Sequence, residues 1–363
     1  MIYYALVTLL IALPLTGCDA KDEATAGLPP LSADYDAAHD TSEFKCAYES
    51  ANLPAPDPEV ELLYRYGMHL AAAREPEAFD KIARYFRIAA AHGHYLAATD
   101  LEQLMSQHKI NTSKRADEII NLTKNLTTED IPWAHLYMGV YLGLGYGVKQ
   151  DIPASHYYLR RAADLGSPDA QYSIGREGIF YPDPPAITLP MLRCAMLQGH
   201  LYATRLYFEM TPNDKNYIEA LPGLQLATKS GNEESASFLA KSFNSTGLAK
   251  GSIEFTSEES AERSRRYALI AKFLARYVNL HPQIPDIDQI VPLPPAKLPD
   301  WDETFQWKRD WDTAINPLPP SDELVARMSK EKNLDPETGL QLSALKLKFR
   351  SFVNRLPWQQ GDE

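Results

Sequence analysis

The stretch from Ala134 to Gly175 constrains the fold of this chain more than any other part of the sequence. It reads as a helix, a glycine-rich turn, a second helix and then the beginning of the same pattern again. Because one helix pair cannot bury its apolar side alone, neighbouring pairs must stack into a continuous core. The pattern therefore predicts an all-α fold, an α-solenoid of about five to six helix pairs.

The register of the repeat is set by glycines that end helices. Gly166 has counterparts at Gly93, Gly199 and Gly231, and the last two intervals are about 33 residues, the length of one unit. The first interval is about twice as long. We expect the missing unit at Asp130, where the register continues without the glycine. Glycine at these places lets the backbone take the left-handed conformation that reverses the chain.

Small residues flank each turn. Small side chains let consecutive helices approach closely, and a larger side chain one turn later fills the seam between them. The residues before the glycine are Ala89, Ala162, Ala195 and Ala227; those after it are Ala97, Ala134, Ala170, Ala203 and Ser235; the larger ones are Leu101, Met138, Ile174, Tyr207 and Leu239. The alternative is an irregular helical domain in which these glycines and alanines coincide by chance.

The unit that begins at Ala134 resembles the Sel-1-like repeat family, which is related to the tetratricopeptide repeats. The matching residues are Ala134, Met138, Gly139, Gly143, Gly145, Gly147, Val148, Asp151, Ala162, Ala163 and Gly166. Other units match less closely, and the resemblance covers about residues 55 to 280. It implies a solenoid (45–280) that binds proteins or peptides. It implies no catalytic residues, because the family shares none.

The first residues of the chain predict a lipoprotein signal peptide, 1–17. Residues Ile2 to Leu13 are almost wholly apolar, too few to span a bilayer and typical of a secretory signal. Leu15 to Cys18 follows directly and resembles the bacterial lipobox, which implies lipidation of Cys18. No Lys or Arg precedes the apolar run, which departs from the usual signal. The alternatives are a buried N-terminal helix and an ordinary cleaved signal.

The residues from Cys18 to Phe44 predict a lipidated flexible tether. They are acidic and rich in alanine and proline, without helical periodicity, and their root-mean-square reach would be roughly 28 Å. Asp19, directly after the cysteine, resembles the signal that retains enterobacterial lipoproteins in the inner membrane. We expect a body that faces the periplasm, anchored to the inner membrane, with the outer membrane as the alternative.

The charge of the chain limits its partners. Its 363 residues carry a net charge of −12 and are 45% hydrophobic, enough for one long solenoid or two domains. Such a charge makes nucleic acid an unfavourable ligand. Anionic headgroups would also repel the body, which leaves anchoring to the acyl chains. A basic protein partner is favoured electrostatically.

Cys46 and Cys194 remain once Cys18 is assigned to lipidation. Two cysteines in an oxidising compartment favour a disulfide. Their places in the register argue against one, since Cys194 lies several helix pairs beyond Cys46 and each pair advances the solenoid by about 10 Å. A bridge needs the N-terminal segment to fold back along the array. Otherwise the two thiols are buried separately.

The C-terminal third begins with a helix that closes the array. Thr256 to Glu259 is a capping-box start, and apolar residues follow at helical spacing. After His281 we expect a proline-rich linker and a small helical C-terminal subdomain (281–363), with helices beginning near Ser321 and Asp335. Three tryptophans either form a binding hot spot or pin the linker onto the solenoid: Trp301, Trp307 and Trp311.

No motif in the chain requires catalysis. Gly143 to Gly147 follows a helix and matches the repeat turn, whereas a phosphate-binding loop follows a strand. His92 and His94 stand at a helix end without the further ligands that a metal site needs. The sequence has no G-x-S-x-G nucleophile elbow. We therefore predict no enzyme, no cofactor, no metal and no catalytic residue. A hydrolase acting in the envelope is the least favoured alternative.

Candidate partner-binding residues lie just beyond the small residue near the start of each unit. These positions vary from unit to unit, as a specific groove would, and equally as a neutral solvated face would. They are His135, Gln171 and Arg205, to which the three tryptophans are added.

Taken together, the lipobox, the acidic Sel-1-like array and the Pro/Trp-rich tail resemble immunity lipoproteins. In bacteria these protect against antibacterial lipase effectors delivered by type VI secretion. The resemblance implies that the array binds and occludes an effector at the membrane, where tethering raises its local concentration. The alternative is an adaptor that assembles or regulates envelope proteins of cell-wall or surface-polymer synthesis.

Overall fold

The computed structural model describes residues 25, 28, 32–38, 43–55, 57–72, 78–110, 112, 115–181, 185–211, 214–244, 257–313 and 318–342. Within these residues the chain forms sixteen α-helices and no β-strand, and α2 to α13 pack as six consecutive pairs. The predicted all-α solenoid is confirmed. The helices are α1 (Glu49–Asn52), α2 (Pro58–Ala72), α3 (Phe79–Ala91), α4 (Tyr95–Ser106), α5 (Arg115–Thr127), α6 (Pro132–Leu144), α7 (Ile152–Asp164), α8 (Pro168–Ile179), α9 (Thr188–Leu197), α10 (Leu201–Met210), α11 (Asp214–Lys229), α12 (Glu233–Phe243), α13 (Ser257–Arg276), α14 (Ile287–Ile290), α15 (Gln306–Thr313) and α16 (Asp322–Glu331).

Every turn glycine of the register is left-handed, with φ between 84° at Gly199 and 101° at Gly231. The backbone N–H of the following residue donates back to the alanine four residues before the glycine, as His94 N does to Ala89 O at 3.1 Å. The side chain of that same residue then accepts an N–H at the start of the next helix. One residue thus ends one helix and begins the next. The four residues with this double role are His94, Ser167, His200 and Asn232.

The unit that lacks the glycine keeps the left-handed turn and the backward hydrogen bond, but the side chain of Ile131 does not cap the next helix. Asp130 has φ 53°, and the next residue, Ile131, donates its N–H to Leu126 O at 3.3 Å. Aspartate is among the non-glycine residues that most readily adopt the left-handed region. Pro132 occupies the first position of α6, where its missing N–H leaves no bond unmade. The expectation that Asp130 continues the register is confirmed.

The small residues of the register lie at the helix seams. None of those after the turn is exposed, and the larger residues one turn later are at most 1% exposed except the half-buried Tyr207. Chain reversal and close helix packing therefore come from the same repeated pattern.

The C-terminal part of the chain packs against both ends of the solenoid. Ile284 and Ile287 lie fully buried in the core formed by α9 to α13. Val325 and Met328 of α16 lie in the core formed by α2 to α7. Beyond α16, Arg84 Nε of α3 donates to the carbonyl oxygen of Pro336 at 2.5 Å. The described residues between 281 and 342 therefore contact both cores.

The last helix pair also meets the first. His281 follows a short 3-10 helix that packs against α2, and its Nε2 lies 2.8 Å from Asp100 Oδ1 of α4. Tyr64 of α2 donates its hydroxyl to the other oxygen of Asp100 at 2.9 Å. Burial alone would lower the pKa of His281, but the hydrogen bond and the charge of Asp100 raise that pKa above its ordinary value. The array turns back on itself and closes through this cluster.

The helix predicted to begin near Asp335 is absent from residues 335–342. The carbonyl oxygen of Asp335 accepts the N–H of Gly339 at 2.7 Å, Gly339 has φ 69°, and Leu334 pairs with Gln341 across the turn. A left-handed residue one turn after the start stops a helix, so this prediction was wrong there. Its remainder, up to residue 356, lies outside the described residues.

Part of the predicted tether packs against the solenoid. Ala37 and Ala38 are 1% exposed, and Asp36 accepts the hydroxyl of Tyr181. The prediction of a flexible tether as far as residue 44 is therefore wrong for residues 35–38, because two buried alanines and a hydrogen-bonded carboxylate fix them against the solenoid. The signal peptide, Cys18 and Asp19 lie outside the described residues. Among the residues described, no helix is both long enough and apolar enough to span a membrane.

Two matched glycines test the turn. A methyl group on Gly93 would meet only the end of the Glu129 side chain, whereas one on Gly166 would lie 2.4 Å from the backbone carbon of Tyr48. We expect Gly93→Ala to lower the free energy of unfolding by about 1–2 kcal/mol, the cost of a left-handed non-glycine residue. Gly166→Ala should cost at least about 3 kcal/mol, because the backbone of another segment must also move. Urea denaturation of both variants measures this, and equal losses would contradict the assigned contact.

Glu102 links neighbouring units in the core. This side chain of α4 is 6% exposed, and it accepts the hydroxyl of Tyr141 of α6. Burial raises the pKa of Glu102 to about 7, and the hydrogen bond only partly opposes that shift. As the pH rises, the carboxyl group of Glu102 therefore stays protonated to a higher pH in the folded protein than in the unfolded chain.

Because this folded-state pKa is raised, Glu102 lowers stability progressively as pH rises from about 4.5 to about 7. At pH 8 we expect Glu102→Gln to raise the free energy of unfolding, measured by urea denaturation, by up to about 3 kcal/mol over the parent protein. This difference should shrink towards zero at pH 4. The exposed Glu209→Gln is the control and should show no such pH-dependent gain. A Glu102→Gln variant with no gain at pH 8 would refute the raised pKa.

Candidate partner-binding surface

Two of the candidate residues are buried, and their assignment to a binding surface is corrected. His135 is 6% exposed with its Nε2 3.1 Å from Asp130 Oδ1, and burial lowers its pKa against the effect of that carboxylate. Gln171 is fully buried and donates through Nε2 to the carbonyl oxygens of Ala47 and Ala163. The residue after the small alanine lies on the packed side of its helix. Neither side chain is available to a partner.

Arg205 lies two positions after its alanine and is exposed. Its guanidinium lies 5.8 Å from the ring centre of Tyr202 and 5.7 Å from that of Phe238, which holds the side chain between two aromatic faces. The ring of Tyr202 lies 6.2 Å from that of Tyr172, which stacks on His200 at 4.5 Å. We call these five residues the tyrosine–arginine ladder. It crosses α8, α10 and α12, three successive units of the array.

The acidic end of the ladder is held by capping groups. His200 accepts the N–H of Ala203 on Nδ1, which leaves Nε2 3.2 Å from Asp169 Oδ1. Asp169 also acts on Glu49, whose pKa burial and this neighbouring charge raise to about 7. Arg205 stands at the other end and forms no ion pair within the described part of the chain. The ladder therefore presents a free cation on an otherwise acidic protein.

Sequence reasoning found Arg205 and missed the rest of the ladder. Tyr172 and Arg205 both follow their unit's alanine by two positions, so an offset of two, in place of the offset of one used for His135 and Gln171, would have selected both. Tyr202 precedes its alanine by one position. A helix turns by about 100° per residue, so one position separates the packed side from the open side.

The three tryptophans pin the C-terminal segment to α13. Phe305 stacks on Phe273 of α13 at 4.1 Å, and Trp301 meets Phe305 edge-on at 5.5 Å. Trp307 lies 6.0 Å from the ring of Phe273, and Trp311 stacks on Trp307 at 5.2 Å along the predicted shared helix face. All three tryptophans are half-buried. This packing agrees with the second interpretation of the sequence, in which the tryptophans attach the linker to the solenoid.

A disulfide joins Cys46 to Cys194 of α9, with their Cα atoms 5.5 Å apart. The N-terminal segment folds back along the array, as such a bridge requires. We call residues 43–53 the N-terminal strap. It crosses the turn at Gly166 and lies over α7, α8 and α9.

The two histidines around the first turn glycine each have a partner. His94 Nε2 lies 3.0 Å from Glu61 Oε2, and His92 Nε2 lies 3.0 Å from the carbonyl oxygen of Met328. Nowhere in the described ranges do three or more metal-ligating side chains converge.

Comparison with known proteins gives one family match. Residues 235–342, from α12 to the turn after α16, match the profile of a domain of unknown function, DUF6396. This range contains the described segments that contact both cores. No curated protein matches the chain.

Three solved structures are similar to this chain. PA5086 from Pseudomonas aeruginosa is 24% identical, with 70% of this chain and 96% of that one covered at a TM-score of 0.50. The immunity protein PA5088 from Pseudomonas aeruginosa is also 24% identical, covering 70% of this chain and 95% of that one, with a TM-score of 0.49. A Sel1 repeat protein from Oxalobacter formigenes is 16% identical, covering 58% and 86%, with a TM-score of 0.39. The likeness to PA5086 shows a similar fold.

Two tryptophan variants test the packing of the C-terminal segment. We expect Trp307→Ala to lower the free energy of unfolding by about 2–3 kcal/mol, because Trp307 contacts α13 directly. Trp311→Ala should cost about 1 kcal/mol or less, because its described ring contact is with Trp307 alone. Urea denaturation followed by circular dichroism compares the two. Equal losses would show that Trp311, too, is needed to hold the segment.

Proposed function

We propose that the chain is an immunity-type lipoprotein that binds and neutralises another protein. The partner we propose is a lipase-type antibacterial effector delivered by type VI secretion. The solenoid acts by binding, without catalysis and without a cofactor. The class of partner follows from the resemblance of the lipobox, the acidic Sel-1-like array and the Pro/Trp-rich tail to immunity lipoproteins.

The observation that carries a binding role is the tyrosine–arginine ladder. Tyrosine and arginine are the residue types that most often dominate the energy of protein interfaces, because they bury large contact areas and form directional bonds. Arg205 is exposed, held between two rings and without an ion pair among the described residues. A partner that covers the ladder would bury two aromatic faces and satisfy the free guanidinium.

The proposed location is the periplasmic side of the membrane, with lipid at Cys18 and retention in the inner membrane through Asp19. The segment packed against the solenoid begins at Tyr35. The chain between Cys18 and Tyr35 would span at most about 60 Å when fully extended. The ladder would then work close to the bilayer that a lipase attacks.

The test is a pull-down of the tagged mature protein from its own bacterium, with bound proteins identified and quantified. One secreted lipase bound in stoichiometric amount would support the proposal. Several envelope proteins in substoichiometric amounts would indicate an adaptor, and the immunity function would be dropped.

Charge reversal at the ladder gives the matching prediction. We expect Arg205→Glu to weaken the affinity for the captured partner about 30-fold, because a central anchor is replaced by a repelling group. Lys149→Glu makes the same charge change on the exposed loop between α6 and α7 and should leave the affinity within about twofold. Calorimetric titration of both variants decides this. Unchanged binding by Arg205→Glu would place the interface elsewhere on the solenoid.

A further inference from the structure

The Cys46–Cys194 disulfide is accessible from one side. Cys46 is exposed, whereas Cys194 is 1% exposed inside α9. A cavity of about 370 Å³ opens beside the bridge and is lined, besides the two cysteines, by Phe44, Leu189, Pro190, Arg193 and Tyr207. The cavity borders both cysteines, and because Cys46 is much the more exposed of the two, it offers an attacking thiol the readier approach.

The strap has few attachments other than this bridge. No residue of its helix, α1, is fully buried; Glu49 is half-buried, and this partial burial is the main cause of its raised pKa. Gln198 of α9 accepts the N–H of Glu49 at 2.8 Å and donates to the carbonyl oxygen of Ala47 at 3.3 Å. Asn52 donates to the carbonyl oxygen of Leu165 at 2.9 Å. A segment tied by a few hydrogen bonds at the surface opens at a much lower free energy than the core beneath it.

These ties differ from those at the C-terminal end, where the returning chain contributes whole apolar side chains to the core. Val325 and Met328 are 1% and 3% exposed. The strap contributes no comparable side chain from α1. Phe44, at the start of the strap, packs half-buried against the core that contains Ala37 and Ala38. The covalent bridge is therefore the dominant restraint only on the residues beyond Phe44, from 45 to 53.

We propose that Cys46 is a thiol–disulfide exchange site, and that reduction by a dithiol protein releases the N-terminal strap while the solenoid stays folded. The thiolate of the reductant attacks Cys46 Sγ and forms a mixed disulfide, and Cys194 leaves as a thiolate that takes up a proton. The second thiol of the reductant then attacks its own partner sulfur in the mixed disulfide and frees Cys46. Two electrons and two protons pass from the dithiol to the two cysteines.

The strap covers a group of polar atoms on the solenoid, which release of the strap would expose. The amides of Gln171 and Gln198 and the carbonyl oxygen of Gly166 lie together beneath the strap, where Gln198 Nε2 donates to both other groups at 3.0 Å. In the bridged form these groups serve Ala47 and Glu49 of the strap itself. Release of the strap would leave these groups without their partners in residues 47 and 49.

The first experiment follows the strap directly. The full chain is incubated with reduced thioredoxin, as a dithiol probe, and then digested briefly with trypsin. We expect cleavage after the exposed Lys45 to accelerate at least about tenfold on reduction. Cleavage after Lys149, in the loop between α6 and α7, and the helical circular dichroism signal should remain unchanged. Equal cleavage at Lys45 in the oxidised and reduced forms would overturn the proposal.

The second experiment identifies the attacked sulfur. A thioredoxin variant that lacks its second cysteine traps the mixed disulfide, and peptide mass spectrometry locates it. We expect the adduct on Cys46, and an adduct on Cys194, or none without denaturant, would refute the assigned route. The full-length double variant Cys46→Ser, Cys194→Ser should show the fast Lys45 cleavage with no reductant. Slow cleavage in this variant would show that the hydrogen bonds alone hold the strap.

Discussion

The solenoid depends on a residue that forms two hydrogen bonds in opposite directions at four of the turns between its units. Its backbone N–H reaches back over a left-handed glycine to the alanine that precedes the turn, and its side chain reaches forward to cap the next helix, as His94 does for Ala89 and Ala97. Both bonds exist only if the glycine is left-handed, so the two helix ends are set by a single backbone conformation. Asp130 shows that the left-handed turn and the backward hydrogen bond survive without glycine when the replacement tolerates the left-handed region.

Because one local backbone conformation sets two helix ends, much of the fold could be predicted from the sequence. The turn and the helix seam are local and repeated. A glycine and an alanine spaced like Gly166 and Ala170 therefore predict them in each unit that has such a pair. The strap and the return of α16 are neither local nor repeated. Nothing near Val325 indicates that it packs in the core of the first units, because that contact depends on how far the whole array curves. The disulfide was left open for the same reason, since it needed the path of a segment outside the repeat.

The candidate surface was predicted only in part. The error lies in which side of the helix each chosen residue occupies. His135, Gln171 and Arg205 were chosen as one class, yet a shift of one residue separates the packed side from the open side of a helix. Gln171 spends its amide on the strap, whereas Arg205 lies between aromatic rings at the surface. The tryptophans look like a hot spot in sequence because the residue types that anchor a partner also anchor a returning segment. Only a known path for that segment separates the two.

The contact of His281 with Asp100 limits how the number of repeat units in this chain could change. An open repeat array gains or loses units readily, because each unit contacts only its neighbours and either end can be extended. Here the last unit meets the first, and α16 is seated in the first core. One inserted unit would rotate and displace every contact made across that closure. A change in the number of units would therefore break the closure, whereas substitutions of side chains and changes in exposed loops would leave it in place.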